Sequence, residues 1–169
     1  MKRIAQFQAV SFEQFRKDLL IHAPQFSTAQ AEEIHKNIIL PQRKTTGSAG
    51  YDFHAPFSFT IGPRENVVLP TGIRVKMEAG WFLGVLPRSG QSFRYRIQLD
   101  NTMGVIDSDY FHAENEGHII IKLSNDSMEE KTMLLEPAAA FAQGIFLQHG
   151  ITFDDEVTAK RVGGFGSTG

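Results

Sequence analysis

The chain has 169 residues, of which 41% are hydrophobic and 21% charged, with a formal net charge of −2. These values predict one soluble globular domain over 1–169, and the slightly negative charge offers no field to attract a nucleic-acid backbone. The sequence contains no cysteine, which excludes a disulfide scaffold, a thiolate zinc site and a cysteine nucleophile. It also lacks an apolar run long enough for a membrane span and a signal-peptide core. We therefore expect a cytoplasmic protein with no membrane or nucleic-acid partner.

The N-terminal part predicts a strand followed by helices. The stretch "RIAQFQAV" is consistent with a short strand. Ser11, followed by Gln14 three residues later, matches a capping box, and the apolar residues after it fall at helical spacing. We predict an amphipathic helix at about 12–22, which Pro24 limits, and a further helical turn in "STAQAEEIHK". Together these form a short helical insertion over about 11–33.

From Ile38 onward, short β-prone runs alternate with Gly, Pro, Asn and Asp. "IRVKM" alternates apolar and polar side chains, as a half-buried strand does. "RYRIQL" alternates in the same way, with Tyr95, Ile97 and Leu99 on one face. Many short, closely spaced strands predict an all-β sandwich, barrel or jelly roll. The end of the chain, about 154–169, is acidic and then glycine-rich, and we interpret it as a flexible C-terminal arm. The other predicted strands are "NIILP", "FSFTI", "NVVLP", "WFLGVLP", "GVI", "HIIIKL", "TMLLEP" and "AFAQGIFLQ".

Five stretches combine glycine with polar residues: "GSAGYD", "PRSG", "NTMGVIDSDY", "AQG" and "RVGGFGSTG". Each alone is typical of an ordinary turn or a solvated tail, and "DNT" suits a hairpin turn. In "PRSG", however, Arg88, Ser89 and Gly90 offer a cation, a hydroxyl and backbone N–H groups in one turn, which suits phosphate oxygens. Arg161 with the hydroxyls near the end of the chain repeats this chemistry. Neither stretch matches a Walker loop or a dinucleotide fingerprint.

Between the two arginine elements, Asp107 follows an apolar triplet at a predicted strand end. A carboxylate there could deprotonate a water that attacks phosphorus, and Tyr110 offers a flat face for a sugar or a base. Alternatives remain: a solvated turn for Asp107 and for Asp109 two residues later, and half-buried packing for Tyr110. The six histidines show no zinc-ligand spacing.

In this order and at these separations, the five stretches resemble the five motifs of the homotrimeric dUTPases, the deoxyuridine triphosphate nucleotidohydrolases. The resemblance covers about 34–169. It implies a jelly-roll β-barrel, Mg²⁺-assisted hydrolysis of dUTP to dUMP and pyrophosphate, and active sites shared among three subunits. Such an enzyme limits uracil incorporation into DNA and supplies dUMP for dTTP synthesis.

The resemblance also implies a role for each matching residue. Asp107 would activate the attacking water, and Tyr110 would stack under the deoxyribose and exclude a 2′-hydroxyl. Asp52 would be a supporting carboxylate. The metal would be held by the triphosphate and water, without direct protein ligands. The remaining residues would bind substrate: uracil through Asn101, Gly104 and Val105, phosphates through Arg88, Ser89, Gly90, Gln143, Arg161, Ser167 and Thr168, and the uracil ring again through Phe165, beside Gly166.

Three features depart from the family pattern. Ala140 stands where the family motif usually has an arginine, "FHAENEG" lengthens the loop over 111–117, and the minimal fold does not need the N-terminal helical segment. That segment is either a packing decoration or a docking surface, so a regulatory protein that binds a partner through it is an alternative function. Deamination of dCTP on a related jelly roll is a second alternative, although no deaminase-type motif is found.

Overall fold

The computed structural model describes residues 2–159, 161 and 163. Strands dominate these residues, and the helices among them are short. The helices are α1 (Phe12–His22), α2 (Thr28–Lys36), α3 (Ser89–Tyr95) and a 3-10 helix (Ser108–His112). The strands are β1 (Ala5–Ala9), β2 (Tyr51–His54), β3 (Phe59–Ile61), β4 (Asn66–Pro70), β5 (Ile73–Met77), β6 (Trp81–Pro87), β7 (Ile97–Leu99), β8 (Gly104–Asp107), β9 (Ile120–Asn125), β10 (Met133–Leu135) and β11 (Ala140–Gln148).

The strands form antiparallel sheets in which distant parts of the sequence lie side by side. One sheet has the order β2-β11-β6-β8 and another the order β4-β9-β7, while β1 pairs with β5 and β3 with β10. Fully buried residues such as Leu83, Ile97, Leu123 and Phe141 fill the core. The all-β prediction is confirmed, and pairing between non-consecutive strands is the pattern of a jelly roll.

The predicted N-terminal helix is confirmed at Phe12–His22. The Ser11 hydroxyl accepts a hydrogen bond from the Gln14 backbone N–H at 3.2 Å, which satisfies one free donor of the first turn. Phe15 and Leu19, four residues apart on one face, are fully buried, and each such burial stabilises the fold by roughly 1.5–3 kcal/mol. The predicted second helical turn becomes a complete helix, α2, with a reciprocal capping box at its start. The helical segment therefore packs into the core.

The strand predictions hold except in two places. "IRVKM" is β5, and its buried and less buried residues alternate as predicted. "NIILP" forms a loop instead, in which Ile38 packs against Gly72. The strand predicted in "RYRIQL" is wrong at its start, because residues 94 and 95 end α3 and Arg96 adopts a left-handed conformation with φ of 51°. Strand β2, in "GSAGYD", was not predicted. None of the helices in residues 2–159 is long and apolar enough to cross a bilayer.

Candidate active site

Two exposed carboxylates, one at the end of β8 and one in the 3-10 helix that follows it, converge on one guanidinium. A single terminal nitrogen of Arg161 donates to Asp107 Oδ2 at 2.9 Å and to Asp109 Oδ1 at 3.3 Å. The same guanidinium lies over the Tyr110 ring, with Cζ 5.0 Å from the ring centroid. The structure thus brings together three residues predicted for the site, and it adds Asp109, for which the sequence favoured a solvated turn.

The position of Tyr110 is fixed by burial of its ring and by two hydrogen bonds to its hydroxyl. Its side chain is buried, and its hydroxyl donates to the His118 carbonyl at 2.9 Å and accepts from the Asn115 amide at 2.8 Å. Burial raises the pKa of the Tyr110 hydroxyl, so the hydroxyl remains a donor at neutral pH. Sequence reasoning missed Asn115 and His118, because a loop insertion carries no spacing signal that would link it to an aromatic ring.

Arg88 lies in a second cluster at the other end of β6. It is the N-cap residue of α3, so Ser89 and Gly90 occupy the first helical turn rather than the simple turn the sequence suggested. Both residues are exposed. The Arg88 Nε lies 3.2 Å from Asp52 Oδ1 on β2, an ion pair that fixes the direction of the guanidinium. Asp52 is buried and orients Arg88 through this contact, while its supporting role in the reaction stays a prediction.

Neighbouring strands complete the second cluster. Gln143 on β11 lies opposite Asp52 in the sheet register and donates to the Pro87 carbonyl at 3.2 Å. At the position where the family motif usually has an arginine, the Ala140 backbone carbonyl accepts from Arg88 Nη1 at 3.2 Å and from Gln91 Nε2 at 2.8 Å. The departure at Ala140 therefore leaves Arg88 well oriented through the main chain.

The turn between β7 and β8 opens a cavity of about 470 Å³. The hairpin predicted at "DNT" is corrected in one respect: β7 pairs with β9 and β8 with β6, and within the described residues no ladder joins β7 to β8. Each strand therefore keeps one edge without a strand partner. Asn101 and Gly104 line the cavity together with the buried side chains of Leu99 and Ile106. Val105 is not among the lining residues, and its side chain is exposed.

The two clusters lie far apart within one chain. Asp107 is opposite Phe82 near the start of β6, whereas Arg88 directly follows Pro87 at the end of that strand. Six residues of strand between positions 82 and 88 correspond to about 20 Å. One chain therefore does not bring Asp107 and Arg88 to the same small ligand group.

Four of the predicted residues lie outside the described part of the chain: Phe165, Gly166, Ser167 and Thr168. Among the described residues there is no group of three or more His, Cys, Asp or Glu side chains that could hold a metal ion. Asp107 and Asp109 do flank a cation, however, because both bond one guanidinium nitrogen.

Known proteins are similar to this chain in sequence and in fold. The dUTPase family model matches residues 36–169. The deoxyuridine 5'-triphosphate nucleotidohydrolase of Lactococcus lactis subsp. lactis (strain IL1403) is 38% identical over 135 residues, covering 78% of this chain and 89% of the relative. The crystal structure of dUTPase from Streptococcus mutans is similar with a TM-score of 0.63 and 27% identity, covering 86% of this chain and 97% of that one.

A mutant dUTPase from phage phi11 of S. aureus, which coordinates a structural Mg(II) ion, shares the fold at 16% identity and a TM-score of 0.63. The similarity covers 93% of this chain and 98% of the phage protein. The chain therefore belongs to the dUTPase family, the deoxyuridine 5'-triphosphate nucleotidohydrolases, enzymes that hydrolyse dUTP to dUMP.

Proposed function

We propose that Asp107 is the general base of dUTP hydrolysis. Its carboxylate takes a proton from a water molecule, the water oxygen bonds to the α-phosphorus, and the bond from that phosphorus to the bridging oxygen breaks, releasing pyrophosphate and dUMP. The observation that carries the proposal is the position of Asp107. Its side chain is exposed at the end of β8, close to Tyr110, and it is bonded to the long side chain of Arg161.

We infer that the base enters between β7 and β8. The unpartnered edges of these strands offer backbone donors and acceptors, and Asn101 and Gly104 line the adjoining cavity. Gly104 and Asp107 are three residues apart in an extended strand, or about 10 Å, which suits a nucleotide with its base at the turn and its α-phosphate at Asp107. Tyr110, in the 3-10 helix directly after Asp107, would contact the deoxyribose.

We propose that Arg88, Ser89 and Gly90 hold the phosphate chain, with Gln143 beside them. Arg88 is already oriented by Asp52, and the exposed first turn of α3 adds a hydroxyl and backbone N–H groups. Such preorganised donors are most effective where charge develops on the leaving pyrophosphate. The C-terminal arm would add Arg161, Ser167 and Thr168 on the phosphates and Phe165 on the uracil ring.

We infer that Mg²⁺ accompanies the substrate. The convergence of Asp107 and Asp109 on a single cationic nitrogen supports this, because the two carboxylates make the place where the triphosphate would react favourable for a cation that phosphate oxygens and water hold. When bound, Mg²⁺ would neutralise triphosphate charge. Arg88 and Arg161 would bind the remaining charge, and Asp107 would accept the proton. We place this enzyme in the cytoplasm, where it would lower dUTP and supply dUMP for dTTP synthesis.

We further propose a homotrimer in which neighbouring chains complete each active site. The separation of about 20 Å along β6 between Asp107 and Arg88 supports this, because a small triphosphate cannot bring both to its α-phosphorus within one chain. A closed ring of identical chains would place the Arg88 end of one copy against the Asp107 end of the next.

Subunit mixing tests the shared site. Arg88→Ala and Asp107→Asn are each expected to abolish most dUTP cleavage as homotrimers. When the two variants are co-expressed in equal amounts and assemble at random, about a quarter of the sites should pair an intact Asp107 with an intact Arg88 from the neighbour. Pyrophosphate release near a quarter of the wild-type rate is the expected result. A mixture no more active than the separate variants would contradict the shared site.

A further inference from the structure

The two segments that depart from the family pattern, helix α1 and the 111–117 loop, are bonded to each other. The Ser11 backbone N–H and hydroxyl donate to the two carboxylate oxygens of Glu116 at 2.8 Å and 2.5 Å. Burial alone would raise the pKa of Glu116, but the hydrogen bonds from Ser11 outweigh it and lower the pKa. The start of α1 and the end of the loop are therefore fixed relative to one another.

A buried pair makes the second connection between them. His118 is fully buried, and its Nδ1 lies 2.5 Å from Asp18 Oδ2 on α1. The other ring nitrogen, Nε2, accepts a hydrogen bond from the Gly72 backbone N–H at 2.8 Å. Because Nε2 accepts, the ring proton resides on Nδ1 and is donated to Asp18. Both edges of the imidazole are thus held, one by the core and one by α1.

Residue 118 in turn carries the bond to the Tyr110 hydroxyl, through its backbone carbonyl. Asn115, in the same loop, donates to that hydroxyl and lies 3.4 Å from the same carbonyl. A continuous series of bonds therefore runs from Asp18 through His118 to Tyr110. A shift of residue 118 would move the acceptor that sets how deep the tyrosine ring lies.

We propose that Asp18 is a positioning residue for Tyr110: through His118, helix α1 fixes the tyrosine ring against the deoxyribose and so sets discrimination between dUTP and UTP. This inference rests on the proposed function, in which Tyr110 contacts the sugar. A ring held within a fraction of an ångström excludes a 2′-hydroxyl by contact, whereas a ring free to retreat by about 1 Å does not.

Three variants test the inference. Asp18→Ala removes the partner of His118. Asp18→Asn keeps an oxygen that accepts from Nδ1, and Lys17→Ala changes the exposed neighbour on the same helix. The measurements are kcat and KM for dUTP and for UTP, with the imidazole ¹⁵N chemical shifts of His118 as a record of its tautomer. We expect Asp18→Ala to lower the ratio of kcat/KM for dUTP to that for UTP about tenfold, mainly through increased UTP turnover.

Asp18→Asn should restore most of the ratio, and Lys17→Ala should leave it unchanged. The inference is overturned if folded Asp18→Ala keeps the wild-type ratio, or if it loses dUTP and UTP turnover equally. If Asp18→Ala does not fold, Asn115→Ala, which removes one partner of the Tyr110 hydroxyl from a half-buried position, must lower the ratio instead. A wild-type enzyme that does not discriminate between the two substrates would contradict the proposed sugar contact itself.

Discussion

Gly117, in the loop behind Tyr110, is predicted to be intolerant of even one methyl group. Its φ is +70°, in the left-handed region that favours glycine. A Cβ at this position would lie 2.6 Å from the Tyr110 carbonyl oxygen and 2.8 Å from the Phe111 Cα. Both neighbours are backbone atoms, so neither can rotate away. Gly117→Ala should therefore strain the loop and push on the residue that contacts the sugar in the proposed mechanism.

Two other glycines separate the cost of the left-handed backbone from the cost of the steric contact. Gly80 has a φ of +81° but nothing within 4 Å of an added Cβ, and Gly150 has open space without a positive φ. Left-handed backbone costs an alanine about 1–2 kcal/mol, and overpacking adds about 1–3 kcal/mol. We therefore expect losses of about 1–2 kcal/mol for Gly80→Ala and about 2–5 kcal/mol for Gly117→Ala, against less than about 0.5 kcal/mol for Gly150→Ala.

Thermal unfolding at one fixed protein concentration measures these losses, since the melting temperature of an oligomer depends on concentration. With a shift of about 2–4 °C per kcal/mol for a chain of this size, Gly117→Ala should melt at least about 4 °C below wild type. Its kcat/KM for dUTP should fall as well, while that of Gly80→Ala should not. If Gly117→Ala and Gly80→Ala unfold within about 0.5 kcal/mol of each other, the contact with Tyr110 is relaxed and the reasoning is wrong.

Three further predictions concern the chemistry and the pH dependence. Asp107→Asn should lower kcat by about 10²–10⁴-fold with little change in dUTP affinity by calorimetry, and normal turnover would exclude Asp107 as the base. EDTA should abolish pyrophosphate release and added Mg²⁺ should restore it, while the melting temperature without nucleotide stays the same; retained turnover in EDTA would contradict a substrate-borne ion. Burial acts to raise the pKa of Asp18, but hydrogen bonds from His118 and Gln14 outweigh it and bring that pKa below its ordinary 3.8. The stabilisation from the ionised carboxylate is therefore present above pH 3.8 and is lost as pH falls through the lower pKa of the folded state. Urea unfolding of wild type and Asp18→Asn measures it. The difference between their free energies of unfolding should be constant near neutral pH and become smaller in acid.

Local patterns in the sequence predicted most of the fold. Alternation in "IRVKM" and the cap at Ser11 are decided by neighbours a few residues away, so a short window contains the information. The failures have a different origin. "NIILP" has the composition of a strand, but Ile38 packs over Gly72 instead of joining a sheet. Residues 94 and 95 alternate correctly for a strand, yet α3 continues through them and ends at the left-handed Arg96. In the first case tertiary packing overrides local preference. In the second, a local helical hydrogen bond from the Arg96 N–H to the Ser92 carbonyl continues the turn.

The candidate site was predictable by residue type and by motif order, but its arrangement was not. Arg88, Asp107 and Gln143 all stand in glycine-containing stretches, and their side chains are of types that suit phosphate binding or water activation, so the sequence offers them as candidates. Their spacing in the sequence does not reveal that Asp107 and Arg88 lie at opposite ends of β6, because that depends on which strands pair. The spacing also does not reveal that Ala140 contacts Arg88 through its backbone carbonyl.

The contact between Arg161 and the two carboxylates follows from an electrostatic requirement of the proposed chemistry. A general base must stay ionised beside a polyanionic substrate, and Asp107 stands next to a second carboxylate, Asp109, so substrate would meet like charge where it must react. Arg161 already balances these charges in the free chain; its own side chain is largely covered, while the two carboxylates stay exposed, so water screens part of the attraction. In the proposed complex, the same balance would be shared between Arg161 and the Mg²⁺ on the triphosphate. A cation on this face of Tyr110 is thus needed both before and after substrate binds, which gives a physical reason for an arginine at the start of the glycine-rich arm.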